Sequence, residues 1–269
     1  MPEQERRWPG GRSLPVCAAS ALDPHSTIRF SRGVFCGPQH ADIQPDRIHS
    51  FDFLKTDKVR AVRIDVNDPR ALASIMAENC DVVLDFLPPQ CIRPVAAAAI
   101  ASHVHLVNTN YAHDILDLDL AAKEKGVSIL PECGLDPGID LVLYAYCLKH
   151  FDKVSKLNSY CGGIPEKAAC DNPLNYKISW NIHAALKSQM RDATLLVNSE
   201  QVYVSAQDQH DNPFIHHIEF PELGTLEAIP NGDAVHYANL LKIDSDLVET
   251  GRYSLRWPGW CSFWNPMKR

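Results

Sequence analysis

Three short islands in the C-terminal half of the chain carry the residue types that handle ligands. They are Gly134-Leu-Asp-Pro-Gly-Ile-Asp140, Ser159-Tyr-Cys-Gly-Gly163 and Ser254-Leu-Arg-Trp-Pro-Gly259. Each sets a polar group (a carboxylate at Asp136, a thiol at Cys161, a guanidinium at Arg256) beside Gly or Pro, where a strand or helix gives way to a loop. Loop positions at the ends of regular elements are where an α/β scaffold holds its ligand-binding groups. With a net charge of −7 the chain lacks the basic surface of a nucleic-acid binder. Small anionic substrates remain open to it, provided that a few arginines converge locally.

The elements that must position these islands are those of an ordinary globular chain. At 269 residues, with 45% hydrophobic and 22% charged residues, it can bury a sizeable core and is long enough for two modest domains. Nine cysteines are scattered without a repeating spacing, there is no Cys-x-x-Cys pair, and no apolar run approaches the length of a membrane span. The expectation is a cytoplasmic protein with reduced thiols and no membrane segment. His210, His216 and His217 lack a matching set of Cys or acidic ligands, so no metal is expected.

Strand and helix patterns alternate between about residues 60 and 140. Ala61-Val-Arg-Ile-Asp-Val66 is a β-branched run, and Asp68 with Pro69 then supplies a helix cap and a first-turn proline. A helix to Cys80, a strand over Asp81–Phe86, a helix from Pro88 to Ser102 and a strand over Val104–Val107 follow. A further helix is expected from about Ala112 to Lys125, stopped by Gly126, then a strand over Val127–Leu130. Strands joined by crossover helices make a parallel sheet. Asp140–Phe151 reads as an apolar helix leading away from it.

Beyond Phe151 the pattern changes to Lys156–Tyr160, Leu195–Asn198, Val202–Ser205 and Ile215–Glu219 as strands of a mostly antiparallel sheet, with Ile182–Met190 helical and Asn198-Ser-Glu200 as a hairpin turn. The first 55 residues fit neither pattern: Gly10, Gly11, Gly33 and Gly37 do not follow a strand or open a helix, and no Gly-x-Gly-x-x-Gly occurs. The organisation expected is an atypical segment over 1–55, disordered or aberrant, a partial dinucleotide-binding domain over 56–137, and an α+β domain over 138–269.

At the islands the chain resembles the saccharopine reductase family, the glutamate-forming saccharopine dehydrogenases. The likeness covers roughly residues 60 to 260 and rests on Gly134–Asp140, on Ser159–Pro165 followed by Asp171-Asn-Pro-Leu-Asn-Tyr-Lys-Ile-Ser-Trp180, and on Ser254–Gly259. It implies an α/β fold: here an incomplete Rossmann-type parallel sheet, with a second α+β domain containing a mostly antiparallel sheet for substrate binding and homodimerisation. It also implies NADP or NAD as cofactor and an amino-acid substrate. The implied reaction is oxidation of a carboxylated secondary amine, as in lysine metabolism, or reduction of the corresponding imine.

The resemblance also carries residue roles. Asp65 and Val66 end the strand that passes near the adenine; Leu87, Pro88, Asn110, Leu135, Asp136 and Pro137 line the cofactor. Asn110, Tyr111, Asp136, Asn181 and Arg256 face the substrate, with Tyr111, Asp136 and Cys161 at the chemistry. Arg256 takes the part of an arginine that clamps a substrate carboxylate, for which a planar fork is suited. Each residue has a plainer use: Asp136 as a helix cap, Tyr111 as the close of a strand, Cys161 as a small packed hydrophobe, Arg256 in a surface ion pair. Two departures stand out: Asn181 follows Trp180 where relatives often carry Ser, and Gly232 stands where fungal relatives carry an arginine. The missing phosphate loop goes further, because losing the central first strand would separate the Asp65 strand from the rest of the sheet.

Overall fold

The computed structural model describes residues 33–36, 39–42, 60–77, 80–177, 182–243 and 246–268. The first sheet contains β1 (Gly33–Cys36), β2 (Gln39–Asp42), β3 (Arg60–Arg63), β4 (Val82–Asp85), β5 (His105–Asn108) and β6 (Ile129–Leu130), in the order β3-β2-β1-β4-β5-β6. β2 and β3 pair in parallel, as do β4, β5 and β6, whereas β1 runs antiparallel to both β2 and β4. This corrects one expectation. The Asp65 strand is not cut off, because the N-terminal segment contributes β1 and β2 and fills the gap between β3 and β4. The slot is filled by a reversed strand, so it is not the start of a strand–loop–helix unit.

Local chemistry sets the helix ends in this half. Asp68 Oδ1 accepts from the backbone N–H of Arg70 (2.9 Å) and Ala71 (3.3 Å), capping α1 (Pro69–Ala77) as the sequence predicts. α2 (Ile92–Ala101) lays Ala96, Ala98 and Ala99 against the sheet, and these small side chains permit a close approach. Leu72 and Met76 of α1 meet Val83, Val95 and Leu106 in one core cluster, where a fully buried Leu or Met contributes roughly 2 kcal/mol. The single helix expected over 112–125 is instead two short 3-10 turns, at Ala112–Asp114 and Leu116–Leu118, and α3 (Asp119–Glu124). The break falls at Ile115, whose φ of −134° is not helical and whose side chain is buried in the core. Arg93 secures the interrupted segment by donating to the Asp114 carbonyl and pairing with Asp117. Gly126, at φ 65°, ends α3 in the left-handed conformation expected of it.

The second half opens with α4 (Ile139–Leu148) and builds a seven-stranded, mostly antiparallel sheet. Its strands are β7 (Lys156–Cys161), β8 (Ala193–Val197), β9 (Glu200–Val204), β10 (His216–Phe220), β11 (Gly224–Pro230), β12 (Gly232–Asp233) and β13 (Glu249–Arg256). α5 (Ile182–Lys187), α6 (Ala234–Leu240) and α7 (Trp260–Lys268) complete it. Asn198 and Ser199 both have positive φ, as a tight hairpin between β8 and β9 requires. β13 is the organising strand: β7 lies parallel along one edge, while β11 and β8 pair antiparallel with the other. Side chains alternate along a strand, so Arg252, Ser254 and Arg256 share one face of β13. Register sets Ser159 beside Arg252 and Cys161 beside Ser254.

Candidate active site

The first island is a closed loop that carries two carboxylates. Gly134 N–H donates to the Pro137 carbonyl (3.0 Å) and Ile139 N–H returns to the Gly134 carbonyl (2.9 Å), so residues 134–139 fold back on themselves. Gly138 sits at φ 147°, and a Cβ there would lie 2.1 Å from the Gly134 carbonyl oxygen, so only glycine closes this loop. Gly138 N–H donates to Asp140 Oδ1 (2.8 Å), which leaves Asp136 free of any capping duty. The Asp136 carboxylate instead receives Arg252 Nη2, and Arg252 Nη1 lies 2.6 Å from Asp140 Oδ2. The Arg252 guanidinium also stacks 4.3 Å from the Tyr237 ring centre. One arginine of the second sheet thus clamps the loop that follows the first.

Electrostatics sort the groups facing this clamp by protonation state. Burial raises the carboxyl of Asp136 above its ordinary range, Arg252 draws it back, and Asp140 opposes that. Burial works against the Arg252 charge, but Asp136 and Asp140 outweigh it and hold the guanidinium firmly protonated. Burial pushes the Cys161 thiol up to about 11, reinforced by the same two carboxylates. Burial likewise raises Tyr111, against the field of Arg191. At neutral pH the phenol and the thiol therefore stay protonated, two potential donors beside the Asp136–Arg252 pair.

The structure brings Tyr111 and Cys161 within electrostatic reach of Asp136 and Arg252, and Cys161 also within reach of Arg256. Tyr111, from the loop after β5, accepts a hydrogen bond from Arg191 Nη1 (3.1 Å). Cys161 ends β7 on the Arg-bearing face, within the electrostatic reach of both Asp136 and Arg256. Arg256 is 9% exposed, so it is not a surface ion pair; it donates to the Leu255 carbonyl (2.7 Å), and its Nε is buried without a partner. Its guanidinium lies 5.2 Å from the Trp260 ring centre, and among the described residues it has no ion pair.

The remaining candidates are placed differently. Asn110 Nδ2 donates to the Leu87 carbonyl (3.0 Å), tying the loop after β5 to the loop after β4. Leu87 packs in the core and Pro88 opens the turn before α2, while Leu135 is exposed and Pro137 buried. Asp65, with Val66, stands at the far edge of the sheet after β3, where Asp65 Oδ1 accepts from the Asn67 backbone (2.9 Å). Asn181 lies outside the described residues. The sequence reading assigned no role to Arg252, Asp140, Tyr237 and Arg191. Only the alternation of β13, with arginines at 252 and 256 on one face, could have signalled the first of these. No grouping of three or more His, Cys, Asp or Glu suited to a metal occurs among the described residues.

Residues 40–130 match the family described as the Saccharopine dehydrogenase NADP binding domain, and residues 134–269 match the Saccharopine dehydrogenase C-terminal domain. The chain belongs to the saccharopine dehydrogenase family. It is 35% identical over 206 residues to an Alpha-aminoadipic semialdehyde synthase of Arabidopsis thaliana, covering 75% of this chain and 19% of that protein. It is 31% identical over 211 residues to the Saccharopine dehydrogenase [NADP(+), L-glutamate-forming] of Pyricularia oryzae, covering 75% of this chain and 45% of that one. The apo saccharopine dehydrogenase (L-Glu forming) of Saccharomyces cerevisiae superposes with a TM-score of 0.69 at 26% identity, over 80% of this chain and 49% of the yeast chain. This family member therefore spans less than half the length of these relatives.

The N-terminal unit is thus of the NADP-binding type, and the sheet tests the fit. Asp85 and Asn108 end β4 and β5 as cross-strand partners, both fully buried, and Asp85 Oδ2 and Asn108 Nδ2 have no partner. Unsatisfied buried polar atoms at the carboxyl edge of a parallel sheet are what a bound dinucleotide would complete. Leu87 N–H donates to Asp85 Oδ1 (2.8 Å) and Asn110 N–H to Asn108 Oδ1 (2.9 Å), so the loops after β4 and β5 adjoin them. The pyrophosphate end is different. β1 enters from the carboxyl edge, runs the other way and is succeeded by β2, so among the described residues no glycine-rich turn and helix follow this strand.

No helix among the described residues is long and apolar enough to cross a membrane.

Proposed function

We propose that this chain belongs to an NADP(H)-dependent oxidoreductase acting on the CH–NH bond of a carboxylated secondary amine of the saccharopine type. In this reading 56–137 is the cofactor side and 138–269 the substrate-binding and homodimerising side. The observation that carries the proposal is a buried arginine lacking an acidic partner among the described residues, Arg256, joined through Cys161 to the Asp136–Arg252 clamp. A buried guanidinium without a counter-ion is costly unless a ligand supplies the negative charge.

A bound nicotinamide would supply hydride transfer to or from the carbon of the C–N bond. The chain's residues do the remainder. Arg256 fixes a carboxylate of the amine, which sets the orientation of its C–N bond. Asp136, held by Arg252, is the acceptor placed to take the amine proton as the imine forms. The Tyr111 hydroxyl and the Cys161 thiol stay protonated and donate hydrogen bonds to the substrate. Hydrolysis of the imine then releases a carbonyl compound and a primary amine. Incubating the chain with NADP+ and saccharopine, then following NADPH absorbance, tests this. Turnover supports it, and absence of both turnover and saccharopine binding overturns it.

The reversed β1 favours a second reading, in which the chain is a catalytically impaired form that serves as a dimerisation module. Titration with NADPH separates the two, because without a pyrophosphate cradle tight binding is lost. Submicromolar NADPH binding would remove this second reading. A related carboxylated polyamine is the alternative substrate, and its turnover in preference to saccharopine would redirect the assignment.

A further inference from the structure

Glu132 lies between the end of β6 and the Gly134 loop, and the reaction scheme gives it no part. It is half-buried and holds φ at 60°, a left-handed conformation unfavourable to any residue but glycine. Backbone bonds on either side fix it there. Glu132 N–H donates to the Asn110 carbonyl (2.9 Å) and Cys133 N–H to the Asn108 carbonyl (2.9 Å). A residue kept in such a conformation by its surroundings invites a question about what its side chain does.

The side chain joins two separate parts of the site through one oxygen. Oε1 accepts from the Ala112 backbone N–H (3.1 Å) and from the Tyr237 hydroxyl of α6 (3.4 Å). Glu132 therefore brackets Tyr111, with its backbone on Asn110 before it and its carboxylate on Ala112 after it. Tyr237 is 5% exposed, and the Arg252 guanidinium rests 4.3 Å from its ring centre. A cation held over an aromatic face is attracted to it, so the ring fixes where the guanidinium sits. Arg252 in turn donates to Asp136. The contacts run without a gap from Glu132 through Tyr237 and Arg252 to Asp136. Both donors to Glu132 are neutral and need only an acceptor oxygen.

We propose that Glu132 and Tyr237 are positioning residues for the Asp136 carboxylate. The Glu132 oxygen holds the Tyr237 ring against Arg252, Arg252 holds Asp136, and the same oxygen holds the backbone that carries Tyr111. One acceptor thus sets the placement of Asp136 relative to Tyr111, and a misplacement at that distance from the chemistry lowers the rate without touching substrate. The part given to Asp136 as proton acceptor rests on the proposed function; the chain of contacts does not.

The test compares three variants of the full chain. Glu132→Gln keeps the acceptor oxygen and loses the charge, Glu132→Ala loses both, and Tyr237→Phe keeps the ring and loses the hydroxyl. The titration of the Asp136 carboxyl is followed by NMR of the side-chain carboxyl carbons, assigned with Asp136→Asn. Melting temperatures are taken alongside, with kcat and the KM values for saccharopine and NADP+. The Asp136 midpoint is expected to rise by about half to one pH unit in E132A and Y237F, because a looser Arg252 stabilises the carboxylate less. Loss of the negative charge at Glu132 would by itself move the midpoint down, so a rise reports position. E132Q is expected to recover most of the shift. On the kinetic side kcat is expected to fall about ten-fold in E132A and Y237F, with the NADP+ KM held. An unmoved Asp136 midpoint in E132A and Y237F overturns the inference, whatever the melting temperatures do. An E132Q variant as impaired as E132A also overturns it, by making the charge and not the oxygen the working part. Y237F decides alone if E132A does not fold. Shifted midpoints in a chain whose wild type neither binds nor oxidises saccharopine retain the positioning pair and discard the proposed reaction.

Discussion

Arg252 of β13 and Asp136 of the Gly134–Gly138 loop form a direct ion pair across the interface between the two halves of the chain. The guanidinium is 3% exposed and also holds Asp140, so one buried and two half-buried charges share one network. Removing the arginine leaves two half-buried carboxylates uncompensated, a change that costs up to about 3–5 kcal/mol in buried networks. Arg252→Met is therefore expected to lower the unfolding free energy by that amount, read from urea denaturation at neutral pH. Asp136→Asn should cost much less, because Asp140 still satisfies the arginine, while turnover falls steeply. Equal destabilisation by the two variants would contradict this division between a positioning arginine and a reacting carboxylate.

Asp85 has a pH signature of its own. Burial without a full set of partners raises its carboxyl from 3.8 to about 6, despite the hydrogen bond from the Leu87 backbone. A folded-state value above the unfolded one means that the native state binds the proton more tightly. The stability from this group is fully present below about pH 4 and is lost as pH rises through about 6. Asp85→Asn removes that dependence and is expected to stabilise the chain above pH 7 by roughly 3 kcal/mol. Denaturation curves of wild type and variant between pH 4 and 8 check this, and a constant difference across the range would refute it.

Cys161 is expected to serve as a thiol and not as a nucleophile. With its ionisation pushed from 9 to about 11, alkylation by iodoacetamide near pH 8 should run about a hundred-fold slower than at an unperturbed cysteine. Mapping modified peptides by mass spectrometry over time measures this. Cys161→Ala should lower kcat by about ten-fold, the worth of one hydrogen bond. Rapid labelling of Cys161, or complete loss of turnover in the alanine variant, would give it a larger role.

Local signals in the chain were legible wherever the physics is local. The Asp68 cap, the Gly126 stop and the positive-φ turn at Asn198–Ser199 all fell where the sequence placed them. The alternation of strands and helices between residues 60 and 140 also emerged, since it rests on periodic burial. The helix expected over 112–125 did not, because Ile115 takes a non-helical conformation to reach the core, a tertiary demand that propensity does not encode. The direction of β1 was equally hidden: four residues carry no mark of which way they run between their neighbours. Asp136 and Arg256 both come within electrostatic reach of Cys161 because their islands end elements that converge there. Arg252 and Arg191 escaped notice because a lone arginine has no motif, and their partners lie 116 and 80 residues away in sequence.

Arg256 provides the sharpest test of the substrate side. Burial works against its charge, it leans on Trp260 and Tyr176, and its Nε lacks a partner. A structural arginine in that position would be expected to find a carboxylate, yet its cross-strand neighbour Glu227 is committed to the backbone N–H groups of Gly259 (2.9 Å) and Cys261 (3.1 Å). In the proposed function a substrate carboxylate supplies the missing charge. Truncating one partner of a buried charged pair costs 2–5 kcal/mol, so Arg256→Ala is expected to raise the KM for the amine at least thirty-fold, with Arg256→Lys intermediate because it keeps the charge but not the fork. The dissociation constant for NADPH, taken by fluorescence titration, should move less than three-fold. An amine KM unchanged in R256A would take Arg256 out of the site, and a matching loss of NADPH affinity would place it on the cofactor instead.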